Sequence, residues 1–196
     1  MHPVLFIHGL NDRADGFAKM QRTLETAGAM HLHAVDLVPN DGSVSLRELA
    51  AQVDRAAETL LRESGAEKLD IVAFSMGTLV ARHWLQKLNG KARTRRFISI
   101  SGPHAGTWAA HLLRRPGIRE MRPGSAFLRE LEADPDPFGD VEVHVLYTPL
   151  DLIILPAKSS LLKQARSARA FPVLLHPLML SDRRVLRAVR ELLEAP

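Results

Sequence analysis

Short continuous apolar runs alternate along this chain with longer stretches whose apolar residues recur every three or four positions. Val4 to Ile7 is the first run, four apolar residues without interruption, the pattern of a strand covered on both sheet faces. After His8-Gly9-Leu10-Asn11 comes a helix with Phe17, Met20, Leu24 and Ala27 on one face and Gly28 as its stop. His31 to Val38 reads as a second strand, and Pro39 to Ser43 as a loop. Ser45 opens a long helix whose stripe is Leu46, Leu49, Val53, Ala57, Leu60 and Leu61. Ser45 and Glu48 have the spacing of a capping box, and Gly65 closes the helix. Leu69 to Phe74 makes the third strand, followed by a helix to about Leu88. Phe97 to Ser101, Val141 to Tyr147 and Phe171 to Leu175 read as the fourth, fifth and sixth strands. Ser181-Asp182 caps a last helix with Val185, Leu186, Val189 and Leu192 inward. Alternation this regular implies an α/β fold, a mostly parallel six-stranded sheet with helices on both faces.

In such a sheet a ligand sits at the carboxyl ends of the strands, so the residues just after each strand carry the chemistry. His8-Gly9-Leu10 follows the first strand, Ser75 the third, Asp151 the fifth and His176 the sixth. A serine, an acid and a histidine therefore share one edge. Ser75 sits in Ala73-Phe74-Ser75-Met76-Gly77, where a strand turns sharply into a helix. Such an elbow exposes its apex hydroxyl and aims the first helical N-H groups at the same point. The bland alternative is a serine that merely caps a helix.

Composition narrows the chemistry. The 196 residues favour one domain able to bury its own core, and the chain has no cysteine. That removes disulfides, thiolate metal sites and a cysteine nucleophile. The other histidines lie in strand or helix patterns without acids at ligand spacing, so neither metal nor cofactor is expected. The formal charge of +4 comes from mainly arginine residues spread over helix faces, with no aromatic-basic interleaving of a nucleic-acid platform. No apolar stretch reaches the length of a membrane span. Met1-His2-Pro3 leads directly into the first strand without a signal-peptide pattern, so the chain as it stands reads as cytoplasmic. An arginine-rich surface leaves peripheral contact with an anionic membrane open, and nothing in the sequence sets the oligomeric state.

Several segments together resemble the α/β-hydrolases, and within them the small lipases and esterases related to class 2 lipases and inositol-deacylase-like proteins. They are the stretch Pro3 to Asp12, the elbow Ala73 to Gly77 with Leu79 to Arg82, Ser101 to Thr107, Pro123 to Leu131, Asp151 with Pro156, and His176 to Leu180. Ala73 stands where the usual elbow has glycine, and Phe74 where histidine is frequent. The resemblance implies a minimal domain lacking the first two strands of the larger fold. It also implies a serine hydrolase of carboxylic esters acting through an acyl-enzyme on a small-molecule or lipid ester. Ser75 would be the nucleophile, His176 the base and then the acid, and Asp151 the residue holding the imidazole. The N-H groups of Met76 and Leu10 would form the oxyanion hole. His8, Gly9, His104 and Trp108 would line the substrate, although His8 fits packing within its loop as well.

Residues 103 to 140 form a long insertion with an apolar face, interrupted at Pro116-Gly117 and Pro123-Gly124, expected as a lid of short helices over the site. Asp140, Asp182, Asp36 and Asp70 compete with Asp151 for the acid role. Asp140 falls at the wrong edge, and Asp182 suits a helix cap. The same triad would also serve a thioesterase or an acyltransferase, and the fold alone would be compatible with a non-catalytic binding protein.

Overall fold

The computed structural model describes residues 1–196. Six strands form one sheet in the order β2-β1-β3-β4-β5-β6, and every pair in it is parallel. The strands are β1 (Val4–Ile7), β2 (Leu32–Val35), β3 (Leu69–Phe74), β4 (Thr94–Ile100), β5 (Glu142–Tyr147) and β6 (Ser167–Ala170). The helices are α1 (Ala18–Thr26), α2 (Leu46–Ser64), α3 (Met76–Lys87), α4 (Pro116–Glu120), α5 (Ala126–Glu132) and α6 (Arg183–Glu194).

The period of two along each strand divides the core into two layers. Leu5, Ile7, Ile71 and Ala73 point to one face, where 29 buried residues pack with α2, α3 and α5. Val4, Phe6, Val72 and Phe74 point to the other, where a cluster of 20 is closed by α1 and α6. Burial on both faces is what makes β1 and β3 apolar at every position but Asp70. It also makes them the two most readable strands.

Three strand boundaries differ from the sequence expectation. The second strand stops at Val35, because the next backbone groups bond to side chains instead of a ladder. Leu37 N donates to His8 Nε2 at 2.9 Å, and Val38 exchanges two bonds with the Gln52 amide. β4 begins at Thr94, three residues early, where Arg95 and Arg96 supply no apolar signal but pair with neighbouring strands. The sixth strand is Ser167–Ala170 and not Phe171 to Leu175. It is an exposed edge strand of small and polar residues, placed by backbone pairing with β5 and by Ser167 Oγ against His144 Nδ1 at 2.8 Å. His176 consequently follows its strand by a loop of five residues, Phe171 to Leu175.

The amino ends of the strands hold locked charges. Asp70, fully buried, accepts from Arg95 through both oxygens at 2.9 and 2.6 Å, so it is spoken for at the edge opposite Ser75. Arg96 grips Glu142 and reaches the Leu192 carbonyl, while Arg95 holds those of Leu193 and Ala195 at the end of α6. Asp182 caps the other end of α6 by accepting from Arg184 N at 2.8 Å. Asp36 accepts from Ala14 N.

At α2 the expected capping box is replaced by a carboxylate from elsewhere. Ser45 Oγ accepts from Arg47 N, but the acid that answers the cap is Glu120 of α4. It accepts from Ser45 Oγ at 2.8 Å and from Leu46 N at 2.7 Å, and Arg47 pairs with it at 2.8 Å.

Buried histidines give the fold a defined acid response. Burial lowers His83 and His104, and lowers His144 to about 4, with the Arg96 and Arg169 charges adding to the effect on His144. Between about pH 6.5 and 4 the unfolded chain therefore binds protons that the folded chain refuses, so stability is complete above pH 6.5 and falls on acidification. His144 alone should cost about 2 kcal/mol at pH 5, or roughly 4–8 °C in Tm. Calorimetry at pH 7.5 and 5.0 checks this; an equal Tm at both would contradict it.

Candidate active site

β3 delivers Ser75 with φ 52° and ψ −125°, a conformation that costs a non-glycine residue about 1–3 kcal/mol. The surroundings hold it there. Ser75 N donates to Ile100 O at 2.9 Å, and Ser75 O accepts from both Thr78 N and Thr78 Oγ1, at 3.0 and 2.7 Å. A Cβ at Gly77 would lie 2.5 Å from the Ile7 carbonyl oxygen, and one at Gly9 would lie 3.0 Å from Ser75 Cβ. Small residues are thus demanded by the approach of the first loop to the elbow. Ala73, fully buried between Ile7 and Ser99 of the neighbouring strands, shows that this position has room for one methyl group.

Met76 is the first residue of α3, so its N-H has no acceptor within the helix. The Leu10 N-H makes no backbone hydrogen bond, and Leu10 shares two cavities with Ser75.

His176 starts a 3-10 turn, His176–Leu180, and its Nδ1 lies 2.7 Å from Asp151 Oδ2. With the carboxylate as acceptor, this nitrogen carries the proton and Nε2 presents a lone pair. The second Asp151 oxygen accepts from Ile153 N and Ile154 N, each at 2.9 Å. Burial works to raise the Asp151 pKa, but the hydrogen bond and charge of His176, with those two N-H groups, outweigh it and hold the carboxyl below its ordinary value. Phe74 packs on the imidazole, with ring centroids 4.7 Å apart. His176 Nε2 is buried and has no hydrogen-bond partner, Ser75 included; the two residues face one cavity of about 380 Å³.

The structure brings Ser75, Asp151, His176, Met76, Gly9 and Leu10 to one edge and separates the other expected substrate contacts from it. His8 is fully buried with both nitrogens engaged, Nδ1 with Gly9 O and Nε2 with Leu37 N, so it shapes the loop instead of lining the cleft. His104 is 2 % exposed, bonded through Nε2 to Ser99 Oγ at 2.7 Å and edge-on to Phe97, and reaches neither cavity. Trp108 is 61 % exposed, stacked on His111 and outside the lining. Two threonines to which the sequence assigned no role tie the loops together. Thr148 Oγ1 donates to Val173 O, joining the acid loop to the histidine loop. Thr107 Oγ1 donates to Ile153 O at 2.6 Å and accepts from Leu155 N at 2.9 Å, joining the insertion to the acid loop. Both are hydroxyls beside turns, a pattern too common to single out without the fold.

No group of three or more histidine, aspartate or glutamate residues is arranged to hold a metal ion, and no helix is long and apolar enough to cross a membrane.

The family model for palmitoyl protein thioesterases matches residues 3–133, more than half of the chain. The chain belongs to that family. The span matched to the palmitoyl protein thioesterase model carries the His8-Gly9-Leu10 turn and Ser75; Asp151 and His176 lie after it. Among solved structures, the mature Bacillus licheniformis lipase BlEst2 is similar at 16 % identity and TM-score 0.80, over 98 % of this chain and 91 % of that one. Aspergillus fumigatus lipase B is similar at 18 % and 0.77, over 91 % of this chain and 49 % of that one. A pyrethroid hydrolase from Sphingobium faniae is similar at 15 % and 0.67, over 100 % and 98 %. At these identities the likeness establishes the α/β-hydrolase fold of this palmitoyl protein thioesterase family member, in the form that lipases and esterases use.

Proposed function

We propose that the protein is a serine hydrolase of carboxylic esters, with Ser75, His176 and Asp151 as its catalytic groups. The observation that carries this reading is the buried Asp151–His176 pair, whose Nε2 has no hydrogen-bond partner and whose histidine lines the same cavity as Ser75. A serine hydroxyl becomes a competent nucleophile at neutral pH only when a base takes its proton. As Ser75 Oγ bonds to the acyl carbon, Nε2 receives that proton, and Asp151 stabilises the imidazolium. The oxyanion is met by the N-H groups of Met76 and Leu10. Collapse breaks the bond to the alkoxide, which leaves with the proton from Nε2. Water, deprotonated by the same nitrogen, then releases the carboxylic acid and restores Ser75. The missing Ser75–His176 hydrogen bond fits a site that tightens around its substrate.

Residues 103–140 serve in this reading as a cap on a single domain, anchored at Thr107, with Ile118 and Met121 reaching a second cavity that Ser75 also lines. Leu112, Leu152 and Leu174, 84 %, 73 % and 71 % exposed on the loops around the site, support peripheral contact with an apolar phase holding the ester.

The family match favours a second reading, thioester hydrolysis by the same residues. Fluorophosphonate labelling followed by peptide mass analysis should place the adduct on Ser75. Oxygen and sulfur esters of one acyl group, compared by kcat/KM, then decide between the readings. Absence of labelling, with no turnover of either ester, would sink both.

A further inference from the structure

Ser75 forms part of the wall of two cavities of different character. One is the cavity of about 380 Å³ that also holds His176 and the polar residues Asn11 and Asp12. The other is smaller, about 110 Å³, and apolar apart from Ser75 and Thr107. Its walls include Ala110 and Leu113 of the insertion, Ile118 and Met121 at α4, and Ile154 of the acid loop. His176 is not among them. A departing alcohol must take its proton from His176 Nε2, so the leaving group belongs in the larger cavity. The acyl chain, on the other side of the carbonyl carbon, then falls into the smaller one.

We infer that the smaller cavity is an acyl compartment of fixed depth, suited to chains of about four carbons, and that Glu120 is the positioning residue that sets its far wall. This rests on the ester-hydrolase reading. An apolar cavity of about 150 Å³ accommodates benzene, six carbons, so 110 Å³ holds about four in the same proportion. Past Leu113 and Ile153, each about half exposed, a longer chain enters solvent and gains little.

The wall is fixed because α4 is bolted to the start of α2. Gly117 N donates to Gly42 O at 3.0 Å, and a Cβ on Gly117 would lie 2.5 Å from the Val44 carbonyl oxygen. The Glu120 carboxylate, which lines neither cavity, receives Ser45 Oγ, Leu46 N and the Arg47 guanidinium. Met121 O accepts from Thr107 N at 2.9 Å. Without Glu120 the cap of α2 loses its partner, and the segment bearing Ile118 and Met121 is released to swing outward.

The test is kcat/KM for p-nitrophenyl esters from acetate to decanoate, with the wild type, Met121→Ala, Glu120→Ala and Glu120→Gln. In the wild type each methylene should raise kcat/KM about fourfold up to butyrate, with no further gain beyond hexanoate. Met121→Ala removes three heavy atoms from the wall and should lengthen the preferred chain by about three carbons. Glu120→Ala should raise the octanoate-to-butyrate ratio about tenfold, and Glu120→Gln, which keeps one acceptor oxygen, should restore part of the discrimination. A wild-type rate still climbing from hexanoate to decanoate overturns the inference, as does an unchanged profile in Met121→Ala. An unchanged ratio in folded Glu120→Ala overturns the role of Glu120; if that variant fails to fold, an unchanged ratio in Glu120→Gln overturns it instead. Failure of the parent reading looks different: no ester of any length is turned over and Ser75 takes no fluorophosphonate, which removes this inference too.

Discussion

Ser75→Ala should lose about 10⁶-fold in kcat while keeping the fold, since without Oγ no acyl-enzyme forms and the remaining members of a catalytic unit act poorly alone. Labelling by a fluorophosphonate should vanish with it. The backbone at this residue adds a second, independent readout. Alanine inherits φ 52° and its strain, whereas glycine occupies that region freely. Ser75→Gly should therefore be equally inactive but melt above Ser75→Ala, by up to about 1 kcal/mol after allowing for the greater freedom of glycine in the unfolded chain. Thermal melts of the two variants measure the difference. Persistent ester turnover in both would move the nucleophile elsewhere.

Asp151→Asn should lower kcat about 10⁴-fold with little change in KM. The amide is nearly isosteric, and its carbonyl can still accept from Ile153 N and Ile154 N where Oδ1 does now. Its NH2 group would then face His176 Nδ1, turning that nitrogen into an acceptor and placing the ring proton on Nε2, where it can no longer receive the serine proton. Asp182→Asn is the matched control: it disturbs the cap of α6, costs at most about 1 kcal/mol and should leave turnover intact. Should Asp182→Asn be the crippled variant and Asp151→Asn the active one, the acid has been assigned to the wrong loop.

What was legible in the sequence follows physical lines. β1 and β3 announce themselves because both faces are buried, and the elbow because Gly77 and Gly9 stand where a carbonyl and the serine leave no room for a side chain. Asp151 and His176 could be singled out by their place after the strands, although the apolar pattern puts β6 four residues too late in the chain. That strand carries no apolar residue larger than alanine, and pairing along an exposed edge leaves no trace in hydrophobic periodicity. His8 and His104 illustrate the opposite difficulty. Near a site, a histidine looks reactive by type, and only the structure reveals that both nitrogens of His8 and the Nε2 of His104 are bonded within the scaffold. Glu120 was invisible as the partner of Ser45 because capping-box spacing looks three residues ahead, not seventy-five.

The paired arginines at the amino ends of the strands bear on how this protein tolerates change. Asp70 and Ser75 are five residues apart on one extended run, about 16 Å. The Asp70–Arg95 couple is neutral when seen from such a distance, and the rigid strand between transmits little else. The molecule is thereby modular along its own strands: one end is insulated ballast that fastens α6, the other a chemical face.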